Sequence, residues 1–221
     1  MPKIKQSLQT IFSNKQTFWI ALYAFCSWTP ILIFAELWGV PFTAQRFSLS
    51  TQNASALITT IWVALAVLSP LLGYFSNRFN RRCIFLQTTA LFGLITSLLL
   101  IFMPLNSTAF IIFTLSGIGI AGSGQILTFA LVRDINPPTV TATAIAFNNL
   151  AVVVGGLLLH PIVGLLLRNY GHPSMVNHAP IYSVHDYQIA FLFIPVCYLT
   201  GWISSRWKIK ETYCRSIDET V

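Results

Sequence analysis

The chain has 221 residues, of which 55% are hydrophobic and only 9% charged, with a mean hydropathy of +0.69. Soluble domains carry about 25% charged residues, so the composition excludes a water-soluble globular fold and points to a membrane protein. The formal net charge is +7, a balance that suggests nucleic acid as a partner only if the basic residues form one binding surface.

The chain opens with MPKIKQSLQTIFSNK, in which Ile4, Leu8, Ile11 and Phe12 share a helical face beside Lys3, Lys5 and Lys15. That pattern predicts a short amphipathic helix lying on a membrane surface, within a leader over 1–16. Phe18–Trp38 is then the first of six apolar runs, followed by Ala54–Phe75, Cys83–Met103, Ala109–Val132, Thr143–Leu167 and Gln188–Ser204. About 20 helical residues cross a hydrocarbon core of about 30 Å, so each run is a predicted span, the last slightly short. No alternating period of two marks barrel strands. The first run exceeds the apolar core of about 7–15 residues in a secretory signal and is read as retained. The fold predicted is all-α, a polytopic bundle of six transmembrane helices over 17–205, with a basic tail over 206–221.

Glu36 is the one acidic residue inside the predicted spans, and an ionisable group there costs at least about 2.5 kcal/mol at mid-bilayer unless it faces protein or water. It is a candidate for substrate or proton handling. Lying roughly 27 Å along a helix that starts at Phe18, it has the alternative of simply reaching outer water. Pro30 and Pro70 interrupt the first two spans, where neighbouring helices or water can satisfy freed backbone groups. Trp19, Trp38, Trp202 and Trp207 fall near span ends as an aromatic belt. Trp28 and Trp62 lie inside, as packing or as cavity lining.

After the second span, GYFSNRFNRR places Gly73, Asn77, Arg78, Arg81 and Arg82 within ten residues. In the fourth, Gln125 follows GIGIAGSG and reads either as cavity-facing or as a buried amide satisfied by a neighbouring helix. Asn148 and Asn149 open the fifth span, and Asn149, Gly156, His160 and Gly164 recur on one helical face. For the glycines a helix-packing seam is the simpler reading; Asn149 and His160 suit cavity lining and interhelical hydrogen bonding equally. His160 precedes Pro161, a possible kink.

The connection Asn169–Tyr187 holds His172, His178, His185 and Asp186, but its histidine spacings of six and seven match no zinc pattern, and a solvated loop is expected. Cys26, Cys83, Cys197 and Cys214 show no C-x-x-C spacing and are expected to be unpaired thiols. Neither a metal nor another cofactor is implied. Paired carboxylates, a Ser/His/Asp motif and a phosphate-cradling glycine loop are all missing, so an enzyme is not the expectation.

With six spans, the two ends share one side. That side collects Lys3, Lys5, Lys15, Arg78, Arg81, Arg82, Arg133, Arg206, Lys208, Lys210 and Arg215, against only Arg46 and Arg168 opposite. Short Lys/Arg-rich loops stay cytoplasmic, so both termini are expected inside, in an inner (plasma) membrane. Topology thus accounts for the positive charge, and no nucleic-acid partner is needed.

GYFSNRFNRR resembles the major facilitator superfamily pattern G-x-x-x-D-R-x-G-R-R, found in the loop between the second and third helix of each six-helix half. Gly73, Arg78, Arg81 and Arg82 match; Asn77 stands for the aspartate and Asn80 for the glycine. The stretches FAELWGVPF, SGQILTFALVRDINPP and AFNNLAVVVGGLLLHPIVGLLL are similar to the seventh, tenth and eleventh helices of such transporters. The resemblance implies that Gly73 lets two helices approach and that the charged groups latch one end of the bundle, more weakly for the lack of an acid at 77. It further implies a secondary transporter or half-transporter moving a small solute by alternating access, with ion coupling. Since the family has twelve helices in two bundles, it implies a partner, either a complementary six-helix half or a second copy. The alternative is a non-transporting residual half or a membrane partner subunit.

Overall fold

A computed structural model describes residues 4–104, 107–171, 174–176 and 179–216. Helix α1 (Ile4–Ser13) turns at Asn14, whose side chain caps α2 (Lys15–Ile33) by accepting the Gln16 amide. A π-helical segment, Phe34–Trp38, joins α2 to α3 (Gly39–Phe47), so the first span runs unbroken over Lys15–Phe47, nine residues beyond the predicted end. Pro41 lies within this span and does not stop it. The span ends at Ser48, in the left-handed conformation with φ 53°.

Helices α4 (Thr51–Arg78) and α5 (Cys83–Phe102) follow. The fourth span breaks at Gly124 into α6 (Thr108–Ser123) and α7 (Gln125–Asp134). Helix α8 (Thr141–Tyr170) continues through Pro161. An antiparallel ribbon, β1 (Ser174–Val176) with β2 (Ala179–Ile181), pairs Met175 with Pro180, so part of the expected open loop is a small hairpin. Of the histidines weighed there, His172 and His178 lie outside the described residues. Span six is α9 (Val184–Ala190), started by a Ser183/Asp186 capping box, and α10 (Phe193–Trp207). All six spans are long and apolar enough to cross a membrane.

The first and fourth spans form the centre, each 67% buried over its most apolar stretch. Helix α4 packs on α6, α8 on α2, and α5 joins α6 to α10. Small residues let these helices close up. A side chain at Gly119 would strike the Ile61 carbonyl of α4, and one at Gly155 would strike Thr29 of α2, the close-approach logic of helix pairs in lipid. One half of the core is aromatic, with Phe34, Phe42, Tyr187 and Phe191 in edge contacts at 5.3–5.9 Å. The other, toward the termini, gathers Ile11, Ile20, Tyr23, Leu86, Leu131 and Ile209. Both chain ends meet at this end, where Gln16 donates to the Lys208 carbonyl at 2.9 Å and accepts from the Lys210 amide at 2.9 Å.

Candidate functional site: a polar seam and a charged end

Helices α2 and α8 run side by side along a seam that is unusually polar for a helix pair in lipid. Thr29 Oγ1, Trp38 Nε1, Asn148 Oδ1 and His160 Nδ1 are all buried without a hydrogen-bond partner among the described residues. Gly155 lies against Thr29, Gly156 against Leu32, and Gly164 opposite Trp38, which fixes the two helices as parallel and in register over this stretch. Thr29 to Trp38 covers about 13 Å of helix. Buried polar atoms are nearly always paired; an apolar pocket cannot satisfy these, whereas water or a polar solute can.

The candidate residues divide around this seam. Asn148 is fully buried and donates from Nδ2 to Thr128 Oγ1 at 2.9 Å, and Thr128 in turn donates to the Gln125 carbonyl at 2.6 Å. Asn148 and Gln125 are thereby brought together across α7 and α8, directly after the Gly124 break. His160 is half-buried, and α8 is not interrupted there. Asn149, on the adjoining face, is exposed. Glu36 is also exposed, on the π-helical segment. Because the first span continues to Phe47, Glu36 lies about 31 Å from Lys15 and still about 16 Å short of the helix end. From Lys15 that distance is about one hydrocarbon thickness, so the longer helix leaves both readings of Glu36, substrate or proton handling and contact with outer water, open to experiment. π-Helical turns concentrate at functional positions, and this one carries Glu36. Trp28 and Trp62 are partly buried against the core.

At the end where the termini meet, Arg82 is 3% exposed and its Nε donates to Asp134 Oδ2 at 2.8 Å. Its Nη1 reaches Asn77 Oδ1 at 3.4 Å. Thr212 of the tail donates to the same Asp134 oxygen at 2.9 Å. Glu211 closes the arrangement: its two carboxylate oxygens accept the backbone N–H groups of Arg82 and Cys83, each at 2.8 Å. Those amides belong to the start of α5, where the helix dipole favours an anion. Arg81 stacks on the Tyr213 ring at 5.4 Å, and the Cys214 thiol donates to the Ser76 carbonyl at 3.6 Å. The Cys214 thiol is pushed above its usual pKa, chiefly by burial, with Asp134 and Glu211 adding to it while Arg82 opposes. Arg78 is exposed and forms no ion pair with the described residues.

The acids that complete this cluster were missed in the sequence. Asn77 does lack a charge, but Asp134 at the end of α7 and Glu211 in the tail supply it from far along the chain. Their signal was scarcity: the whole chain has six acidic residues, and two stand near the most basic segments. Asn80 has φ 50°, so the turn requires the left-handed region that glycine adopts most readily and asparagine tolerates. Gly73, expected to let two helices approach, has nothing within 4 Å of where its Cβ would be; within this bundle that approach does not occur.

These features sit in a fold with known relatives. The family model for the Major Facilitator Superfamily matches residues 17–213, and the chain belongs to that superfamily of membrane transporters. Among solved structures, the proton:xylose symporter XylE bound to 6-bromo-6-deoxy-D-glucose superposes with a TM-score of 0.68 at 20% identity, covering 93% of this chain and 46% of that one. The partially occluded inward-open form of XylE from E. coli gives 0.69 at 19% identity, covering 92% and 50%. At such identity the likeness carries the fold and not the sugar. The chain spans about half the length of these structures. No curated protein sequence matches it.

Proposed function

We propose that this chain acts as a six-helix half of a secondary transporter, carrying a small polar solute by alternating access after pairing with a second six-helix unit. The observation that carries the reading is uneven burial. The second and fifth spans are only 22% and 28% buried, against 67% for the first and fourth. Helices α4 and α8 flank the central pair and leave broad faces open, and α8 carries the polar seam beside its open face. In this family architecture the substrate pathway lies between two bundles that rock against each other. Glu36 and His160 are the ionisable groups available for ion coupling, and Gln125, Asn148 and Asn149 are candidates for solute or water contact. The Arg82–Asp134–Glu211 cluster, with Asn77 and Arg81, holds the basic end in one arrangement and so biases the conformational cycle; Gly73 and Arg78 face outward, available to the second unit. The positive-inside distribution favours both termini in the cytoplasm, with the protein in the inner membrane.

The experiment is uptake into proteoliposomes containing the chain alone or co-expressed with a candidate complementary half, across a panel of small solutes, with and without a pH gradient. Uptake that requires both halves and falls in Glu36→Gln or His160→Gln supports the proposal. A chain that never transports in either setting overturns it and leaves a residual half or a partner subunit.

A further inference from the structure

We propose that the joint between α1, α2 and α8 is a binding site for an anionic phospholipid, with the acyl chain in an aromatic groove and the phosphate between Lys15 and Lys208. This rests on the reading that the bundle sits in lipid, but not on transport or on which membrane face the basic end occupies.

The groove has a volume of about 290 Å³ and is lined by Ile11, Phe12, Lys15, Phe18, Trp19 and Phe147. Its lining is apolar and aromatic except for Lys15, the composition that suits a hydrocarbon chain under a charged head. Phe12 of α1 meets Phe147 of α8 edge-on at 5.3 Å, and Phe18 meets Trp19 at 5.6 Å. Phe12 and Phe18 nonetheless remain 64% and 57% exposed, so the pair forms a rim rather than a closed core.

A second cation is delivered from the far end of the sequence. Lys208 Nζ lies 5.5 Å from the centre of the Trp19 ring. Gln16 fixes it there by bonding the backbone of both Lys208 and Lys210, while Asn14 pins the α1–α2 corner to the Ile135 carbonyl at 3.1 Å. Neither lysine has a carboxylate partner among the described residues, since the nearby acids Asp134 and Glu211 are engaged by Arg82 and the start of α5. Two cations without a carboxylate partner among the described residues, beside a preformed apolar slot, are complementary to a phosphate diester with an acyl tail. Basic residues at a membrane surface favour anionic lipid in this way, and tryptophan at that depth supplies an amphipathic wall.

The test uses the full chain in mild detergent, titrated with phosphatidylglycerol or phosphatidylcholine and read by native mass spectrometry. Wild type should retain phosphatidylglycerol in preference, and Lys15→Gln with Lys208→Gln should lower that preference by roughly tenfold or more. Arg206→Gln with Lys210→Gln, the same charge change outside the groove, should leave it nearly intact. A second arm uses phosphatidylglycerol with brominated acyl chains, where Trp19→Phe should remove well over a one-sixth share of the tryptophan quenching, the chain having six tryptophans. Equal losses in the two charge variants, or an average share for Trp19, overturn the site. So does a groove that binds neither lipid but protects Trp19 only when a second six-helix unit is present.

Discussion

Arg82 and Asp134, 52 positions apart in sequence, meet at 2.8 Å with side chains only 4% and 2% exposed. The pair ties the α4–α5 connection to the end of α7, and Thr212 and Glu211 draw the tail onto both. Breaking a buried pair by removing one partner strands the other charge and costs about 3–5 kcal/mol, whereas replacing both with apolar groups is often neutral. We predict that Arg82→Met and Asp134→Leu each lower the thermal unfolding midpoint strongly, and that the double variant recovers much of the loss. Additive losses in that double-mutant cycle, followed by size-exclusion after heating, would falsify direct coupling.

How much of this was legible beforehand differs by element. Six spans follow from apolar run length alone, because lipid forces every backbone group into a helix. The end of the first span was not legible: the apolar run reads as ending at Trp38, while the helix passes through a π-helical turn at Phe34–Trp38 and continues to Phe47. Asn77 to Arg82 were visible as a motif, but Asp134 and Glu211 were not, since no local period links residues 52 and 129 positions from Arg82. Of the polar candidates, spacing put Asn149 and His160 on one face, yet it is Asn148 whose burial and bond to Thr128 join it to Gln125.

Cys214 reports on whether the tail is docked. It is the one half-exposed thiol, Cys26, Cys83 and Cys197 being buried. Its raised pKa, from burial first and the neighbouring carboxylates next, keeps it protonated at neutral pH, and the thiolate is the reactive form. Maleimide labelling should therefore be slow near pH 7 and accelerate as pH rises. Arg82→Gln would act in two directions, removing a cation that lowers the pKa while undocking the tail. Glu211→Gln is cleaner, since it removes a charge that raises the pKa and two bonds that hold the tail, and should speed labelling several-fold at neutral pH. Unchanged rates in Glu211→Gln would mean that the tail is held by other contacts.

The turn at Asn80 makes a sharper backbone prediction. At φ 50° a β-branched residue is strained by roughly 1–2 kcal/mol, while glycine is at ease. Asn80→Val should lower the unfolding midpoint, and Asn80→Gly should leave it unchanged or raise it. The same small effect from both substitutions would indicate that the turn relaxes out of the left-handed region.

Two glycines separate packing inside this bundle from packing against a second one. A side chain at Gly155 would collide with Thr29 across the α2–α8 seam, whereas one at Gly73 meets nothing within 4 Å. Overpacking a closed helix pair costs about 1–3 kcal/mol or more, and an open helical position tolerates substitution within about 0.5 kcal/mol. Gly155→Leu should therefore destabilise the chain on its own, measured as midpoint in detergent, and Gly73→Leu should not. If a complementary unit packs on α4, the order reverses in the assembled state, because the leucine at position 73 then occupies the close approach that the family motif implies. The expected result is a Gly73→Leu chain that is as stable and as well inserted as wild type but assembles several-fold less, read by mass measurement of the co-expressed halves in native lipid. Equal assembly by wild type and Gly73→Leu would place the Gly73 face of α4 against lipid and leave α8 as the surface on which any partner must close.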